Sequence, residues 1–224
     1  MKFSPETLTI LKNFATINSG ILFKVGNTLS TVSPQKNILA DAKISETITQ
    51  EFGIYDLNNF LSVLSLFNGS AELEFDSKHA IIVGMNGRSK IKYRFTDPSM
   101  IVVAPEKRPS LPSVDVSFSL SQEDFNWIVK TANVLAVPNI SIKSEGNGLF
   151  LTAFDVNDDS AHTNSIELDS NVSGNFNLIF KVENLKMIPG NYNVQICSKG
   201  ISIFNDPTKD ITYYITLETS STYN

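Results

Sequence analysis

The 224 residues suffice for one large domain or two of about a hundred residues each, and 42% apolar with 18% charged side chains is the make-up of a globular protein, not a disordered one. Eighteen basic and 23 acidic side chains leave a net charge of −5, which argues against capture of nucleic acid by bulk attraction; any such contact needs a local device. The single cysteine, Cys197, excludes an internal disulfide or a multi-cysteine zinc site, and no stretch approaches the roughly 20 apolar residues of a membrane span, so a cytosolic protein with no membrane partner is expected.

Ser4-Pro5-Glu6 opens the first element, an amphipathic helix running to about Ile17, with Ser4 placed to cap and Pro5 at a favoured first position. Alternating runs at 20–25, 27–33, 38–45 and 52–56 read as strands. Asp56 then caps a second helix in which Leu57, Phe60, Leu61, Leu64 and Phe67 recur at helical spacing up to Asn68-Gly69. Three further strands are expected at 71–75, 80–85 and 89–95, the last two joined by Asn86-Gly87, a favoured hairpin signal. DPSMIVVAPEKRPSLPSV follows, broken by Pro98, Pro105, Pro109 and Pro112 and carrying the apolar block Met100–Val103; it reads as a linker that must lie against something.

After the linker the first pattern returns. Ser121-Gln122-Glu123 opens a third helix whose Phe125, Ile128, Ala132 and Val134 stand at the same offsets from Glu123 as Leu8, Leu11, Ala15 and Ile17 stand from Glu6. Strands are expected at 140–144, 148–156, 164–169 and 176–182, then a short helix in ENLKMI stopped by Pro189-Gly190, then strands at 191–198, 201–204 and 211–218. This order implies a structural duplication: an α+β chain of two similar domains, 1–97 and 114–224, around a linker at 98–113.

Catalytic patterns are poor. His79 and His162 each stand alone, and Cys197 lies in an alternating run that reads as a buried strand. Asp155, Asn157 and Asp159 have the spacing of a calcium loop, but Ser160 replaces the required glycine and Glu167 lies one place too far. In GMNGRSK the glycines are three apart, too close for a phosphate loop. No metal, cofactor or enzymatic activity is expected. The helix faces turned away from the core are more informative. Thr9, Lys12, Asn13 and Thr16 cluster on the first, Asn58, Ser62 and Ser65 on the second, and Asn126, Lys130 and Asn133 on the third, while the fourth offers Lys186 with Lys181 just before it. Acidic residues sit mainly at the helix starts, where the dipole favours them, so the remaining surfaces suit a phosphate backbone as well as they suit solvent.

LKNFATINSGILFK (11–24), IYDLNNFLSVLSL (54–66), DPSMIVVAP (97–105) and MIPGNYNV (187–194) resemble, in order and at matching spacing, the sliding clamps of T-even-type bacteriophages. The resemblance implies a homotrimeric ring of six similar domains around double-stranded DNA, in the cytoplasm of an infected bacterial host, with helices lining the hole and antiparallel sheets outside. It implies loading by an ATP-driven clamp loader, tethering of the replicative DNA polymerase and help to late-transcription proteins. On that footing Lys12, Asn13, Asn126, Lys130, Asn133, Lys181 and Lys186 face DNA; Tyr93, Ile101, Val103, Pro105 and Leu111 form a groove for partner peptides; and strand edges near Ser89 to Phe95 and near His162, Ile166 and Leu168 join successive subunits. A structural or interaction subunit of a phage particle is the rival reading, which oligomer mass would separate.

Overall fold

The computed structural model describes the backbone of residues 1–224 and every side chain except those at positions 171 and 173. The chain forms two compact units, Met1–Glu106 and Lys107–Asn224.

In the first unit, helix α1 (Pro5–Ile17) begins as its sequence dictates: Ser4 Oγ accepts the Thr7 amide at 3.2 Å, and Ile10, Leu11, Phe14 and Ala15 are buried on one face. Four strands follow: β1 (Ile21–Phe23), β2 (Gly26–Val32), β3 (Ile38–Ile48) and β4 (Phe52–Ile54), with β1 antiparallel to β4 and β2 to β3. Asp56 caps helix α2 (Leu57–Ser65) by accepting the Asn59 amide at 2.9 Å. The helix face Leu57, Phe60, Leu61 and Leu64 enters the core, where Phe23 stacks on Phe52 with ring centroids 4.5 Å apart and meets Phe60 edge-on. Strands β5 (Glu72–Phe75), β6 (His79–Gly84) and β7 (Ser89–Arg94) form an antiparallel meander. The β6–β7 turn carries positive φ at Met85, Asn86 and Gly87, conformations that Asn and Gly tolerate best.

The second unit repeats a capped helix followed by antiparallel strands. A strand that the spacing did not single out, β8 (Val116–Leu120), precedes α3 (Gln122–Leu135), which is capped by Ser121 Oγ accepting the Asp124 amide at 3.0 Å. Phe125, Ile128 and Ala132 are buried as the duplication implies, but Val134 is 75% exposed. The reason is angular: Val134 lies about 200° around the wheel from Ala132, and α3 continues to Leu135, whereas α1 ends at Ile17 and turns that residue inward. The pairs of short strands expected at 140–156 and 164–182 are single long ones, β9 (Asn139–Phe154) and β10 (Asn164–Lys181). Gly146, Gly148 and Gly174 take up positive φ within them, and the register shifts between Leu168 and residue 173, so what separated the expected short strands is an irregularity in one continuous pair. The meander β11 (Tyr192–Cys197), β12 (Ile201–Asp206) and β13 (Ile211–Thr216) pairs on to β8, and the short β14 (Thr222–Tyr223) joins β10.

The helix expected in ENLKMI is absent. Only a 3₁₀ turn, Val182–Asn184, forms, without a side-chain cap. The backbone beyond it is held by the sheet instead: Tyr213 Oη accepts the Ile188 amide at 3.1 Å and Tyr192 Oη donates to the Ile188 carbonyl, while Leu185, Met187 and Ile188 are buried. Pro189 further disfavours helical backbone at Ile188.

Candidate functional site

Three helices present polar outer faces. Beyond their first turns, which hold Glu6, Glu123 and Asp124, none carries a carboxylate. Lys12 on α1 and Lys130 on α3 are exposed, and among the described residues neither has an ion-pair partner. Asn13 is half-buried next to Lys12 on α1, whereas Asn126 and Asn133 are exposed on the Lys130 side of α3, Asn133 Nδ2 donating to the Val129 carbonyl at 2.8 Å. On α2 the outward serines turn inward for partners, Ser62 Oγ to the Asn58 carbonyl and Ser65 Oγ to the Ser62 carbonyl. Lys181 lies 3.7 Å from Glu218, which screens its charge, while Lys186 is exposed in the segment that replaces the expected helix. In that helix's place a groove lined by Phe125, Val129, Lys130, Leu185, Met187 and Pro189 runs beside α3.

The segment after β7 is seated on the first unit by two devices. Asn18, buried at the end of α1, donates from Nδ2 to the carbonyls of Val32 (3.0 Å) and Val102 (2.9 Å) and accepts the Gly20 amide on Oδ1. Ile101 fills the space left by two glycines: a Cβ on Gly53 would lie 2.9 Å from Ile101 Cδ1, and one on Gly20 would lie 3.3 Å from Cγ2. Ile101 and Ala104 are therefore buried, whereas Met100 and Val102 are exposed and Val103 half-exposed. Of the residues expected to form a partner groove, Tyr93 is half-buried, edge-on to Phe60 with its hydroxyl donating to the Asp56 carbonyl at 3.2 Å; burial, then the Asp56 charge, push its phenol pKa up. Pro105 is exposed in the first unit, and Leu111 is half-exposed in the second. Val102 and Asn18 escaped the sequence reading; the apolar block pointed to the first, and nothing local pointed to the second.

At the expected subunit edges, Ser89 opens β7, Phe95 follows it with its ring 5.0 Å from that of Phe52, Ile166 and Leu168 lie on β10, and His162 is exposed in the turn before β10. The groups that resembled chemistry are otherwise occupied. Asp155 and Asp158 accept backbone amides of their own turn, His79 Nδ1 lies 3.2 Å from Asp76, and Cys197 is fully buried with Ser113 Oγ 3.4 Å from its sulfur.

Residues 4–103 match the family model "DNA polymerase processivity factor", and residues 117–219 match "gp45 sliding clamp, C terminal". The sliding clamp of Enterobacteria phage T4 is 35% identical over the whole of both chains, and that of Escherichia phage RB69 is 32% identical over the same extent. The chain belongs to the sliding-clamp family. The clamp is thus a polymerase processivity factor of bacteriophage type, and a binding protein in place of an enzyme. Its fold is shared far beyond the phages: it superimposes on the proliferating cell nuclear antigen of Entamoeba histolytica with a TM-score of 0.71 at 15% identity (97% of each chain), and on that of A. fulgidus, solved with the C-terminal region of FEN-1, at 0.67 and 15% (98% of each chain).

Proposed function

We propose that three copies of the clamp close head to tail into a ring around duplex DNA, turn the faces of α1, α2 and α3 towards the phosphates, and hold the replicative polymerase by topology. The observation that carries this reading is the segregation of charge: a protein of net charge −5 keeps carboxylates off its three helix faces beyond their first turns and leaves Lys12 and Lys130 exposed and unpaired there. Lysines on flexible stems follow phosphates without reading bases, and a duplex that offers one charge per roughly 1.7 Å of axis gives them a partner at every rotation, which permits sliding. Lys186 and the asparagines 13, 126 and 133 belong to the same surface in this reading, and Lys181 contributes less because Glu218 competes for it.

The polymerase, an ATP-driven loader and late-transcription proteins are the partners proposed, in the cytoplasm of the infected host. The A. fulgidus protein was solved with the C-terminal region of FEN-1 bound; the surface here that suits a short apolar peptide is the strip at Val102 and Val103, fixed from below by Asn18 and Ile101, with Tyr93 as a further candidate. The decisive experiment is retention on nicked circular DNA with loader and ATP, before and after linearisation. Clamps should persist on circles and leave once the DNA is cut; equal retention on both forms would mean ordinary adhesion and no ring.

A further inference from the structure

The two units differ at a place where their duplication implies agreement. In the first unit α1 and α2 lie against each other, and Leu8 and Lys12 of α1 share a pocket with Leu61, Leu64 and Ser65 of α2. By the offsets that align the two units, Leu8 corresponds to Phe125 and Lys12 to Val129, so the same side of α3 is marked for a companion helix. Among the described residues α3 is the only α-helix of the second unit. In the companion's place runs a groove of about 520 Å³, with Phe125, Val129 and Val134 of α3 on one side and Leu185, Met187 and Pro189 on the other. The second side is fixed before any ligand arrives. The hydroxyls of the buried Tyr192 and Tyr213 hold the Ile188 carbonyl and amide. Just beyond, Gly190 packs so closely on the buried Asp206 that an added Cβ would overlap its carboxylate, which is ion-paired with Lys209 at 2.9 Å.

We infer that this groove receives an amphipathic helix of a partner protein, in the place that α2 fills in the first unit, with its apolar side on the groove and a carboxylate beside Lys130. α2 shows the shape required: nine residues, with Leu57, Phe60, Leu61 and Leu64 on one side. From Phe125 to Val134 α3 runs about 14 Å at 1.5 Å per residue, the length of such a helix. Two differences between the units fit the same occupant. Val129 stands where α1 has Lys12, so the wall is more apolar here than where the helix is built in, and Val134 presents a branched apolar side chain, 75% exposed, at the groove's end. The charge suits an acidic helix. Lys130 lines the groove, exposed and without an ion-pair partner among the described residues, and no carboxylate lines it. A phosphate backbone would satisfy Lys130 and leave the apolar lining in water, whereas a helix with leucines on one side covers both. The groove adjoins the face of α3 proposed to meet DNA, so helix and duplex compete and the partner engages clamps that are off DNA; this consequence rests on the ring proposed above.

The test uses the full chain and a fluorescein-labelled synthetic peptide of residues 56–66, braced as a helix by a covalent link between positions 58 and 62, both outside its apolar side. In fluorescence anisotropy the peptide should bind saturably below about 1 mM, one per chain. Val129→Glu and Val134→Glu in the protein should each weaken it about ten-fold or more, while Leu66→Glu, at an exposed position of the first unit, should change nothing. Val134 is so exposed that its substitution spares the fold, which far-UV circular dichroism checks. Position 65 of the peptide, which shares a pocket with Lys12 in the first unit, comes beside Lys130 in the groove. A peptide with Ser65→Glu should therefore bind about three-fold tighter than one with Ser65→Lys, and the gap should close at about 1 M salt. No saturable binding by the braced peptide, or binding that Val134→Glu leaves unchanged, overturns the proposal. If anilinonaphthalene sulfonate fluoresces on the parent and not on Val134→Glu while the peptide fails, the occupant is a small apolar molecule and not a helix. Loading onto nicked circles by loader and ATP should fall once the peptide saturates the clamp; loading that a bound peptide leaves untouched overturns the placing of α3 against the duplex and leaves the groove standing.

Discussion

Replacing Ile101 by alanine should unseat the strip proposed to receive partners, and the loss can be worked from its surroundings. The side chain is 9% exposed and its Cδ1 and Cγ2 occupy the space above Gly53 and Gly20 that the absence of a Cβ on either glycine leaves open. Three carbons are removed at about 0.8 kcal/mol each. The backbone around the site is pinned by the Thr96 amide on the Gly53 carbonyl (2.9 Å) and by Asn18 on the Val102 carbonyl, so collapse is restricted and a cavity remains. The expected loss is about 3 kcal/mol, against about 1 kcal/mol for Ile101→Val. Trp127 lies in the second unit and does not report this change, so the assay is native-state hydrogen exchange at the Thr96 amide, which should open more readily by that amount. A loss below about 1 kcal/mol for the alanine variant would refute the seat, because a site that tolerates the truncation is not held by this packing.

Val103→Asp, by contrast, changes a half-exposed residue of the same strip and should leave the fold intact while weakening a C-terminal peptide of the polymerase at least ten-fold in fluorescence anisotropy; unchanged affinity would place the groove elsewhere. Glu46 accepts the Ser4 amide and, at 2.6 Å, the Thr7 hydroxyl at the start of α1; burial raises its pKa, but those hydrogen bonds outweigh it and hold the carboxyl below its ordinary 4.5. A lowered folded-state pKa gives stability that is present above 4.5 and lost as pH falls through the folded value, so Glu46→Gln should cost about 1 kcal/mol in urea unfolding at pH 7 and nothing once the parent carboxyl is protonated; a gap independent of pH would remove the carboxylate from the account.

What was legible in the sequence was what local chemistry decides. Ser4, Asp56 and Ser121 each accept an amide of the helix that follows, and the buried face of α2 and all of that of α3 but Val134 follow from spacing, as does the β6–β7 hairpin from Asn86-Gly87. The failures are places where distant groups outbid local preference. ENLKMI has helical spacing, yet Tyr192 and Tyr213 take the Ile188 backbone for the sheet. β8 did carry a signal, the alternation of Val116, Phe118 and Leu120 with serine, masked by the proline-rich stretch before it. The exposure of Lys12, Asn126, Lys130 and Asn133 was readable from the wheel because exposure on a helix is periodic, whereas Asn13 is half-buried and Lys181 and Lys186 lie on no helix. Asn18 was not readable, since its two carbonyl partners lie 14 and 84 residues away.

The β9–β10 hairpin bears on the order in which the chain folds. Its two long strands are adjacent in sequence, and β11, β12 and β13 likewise pair each with the next, so much of the second unit forms by closing short loops. The first unit has such local pairs too, β2 with β3 and β5 with β6 and β7, and each unit must then wait for longer closures: Met1 against Leu73 and Asn18 against Val102 in the first, β8 against β11 and Asp115 against Ser198 in the second. Loop-closure entropy has to be met before such contacts reward it, and chains rich in local pairing fold faster. Both halves are therefore expected to form their hairpins first, and the closures that span most of each unit to set the overall folding rate.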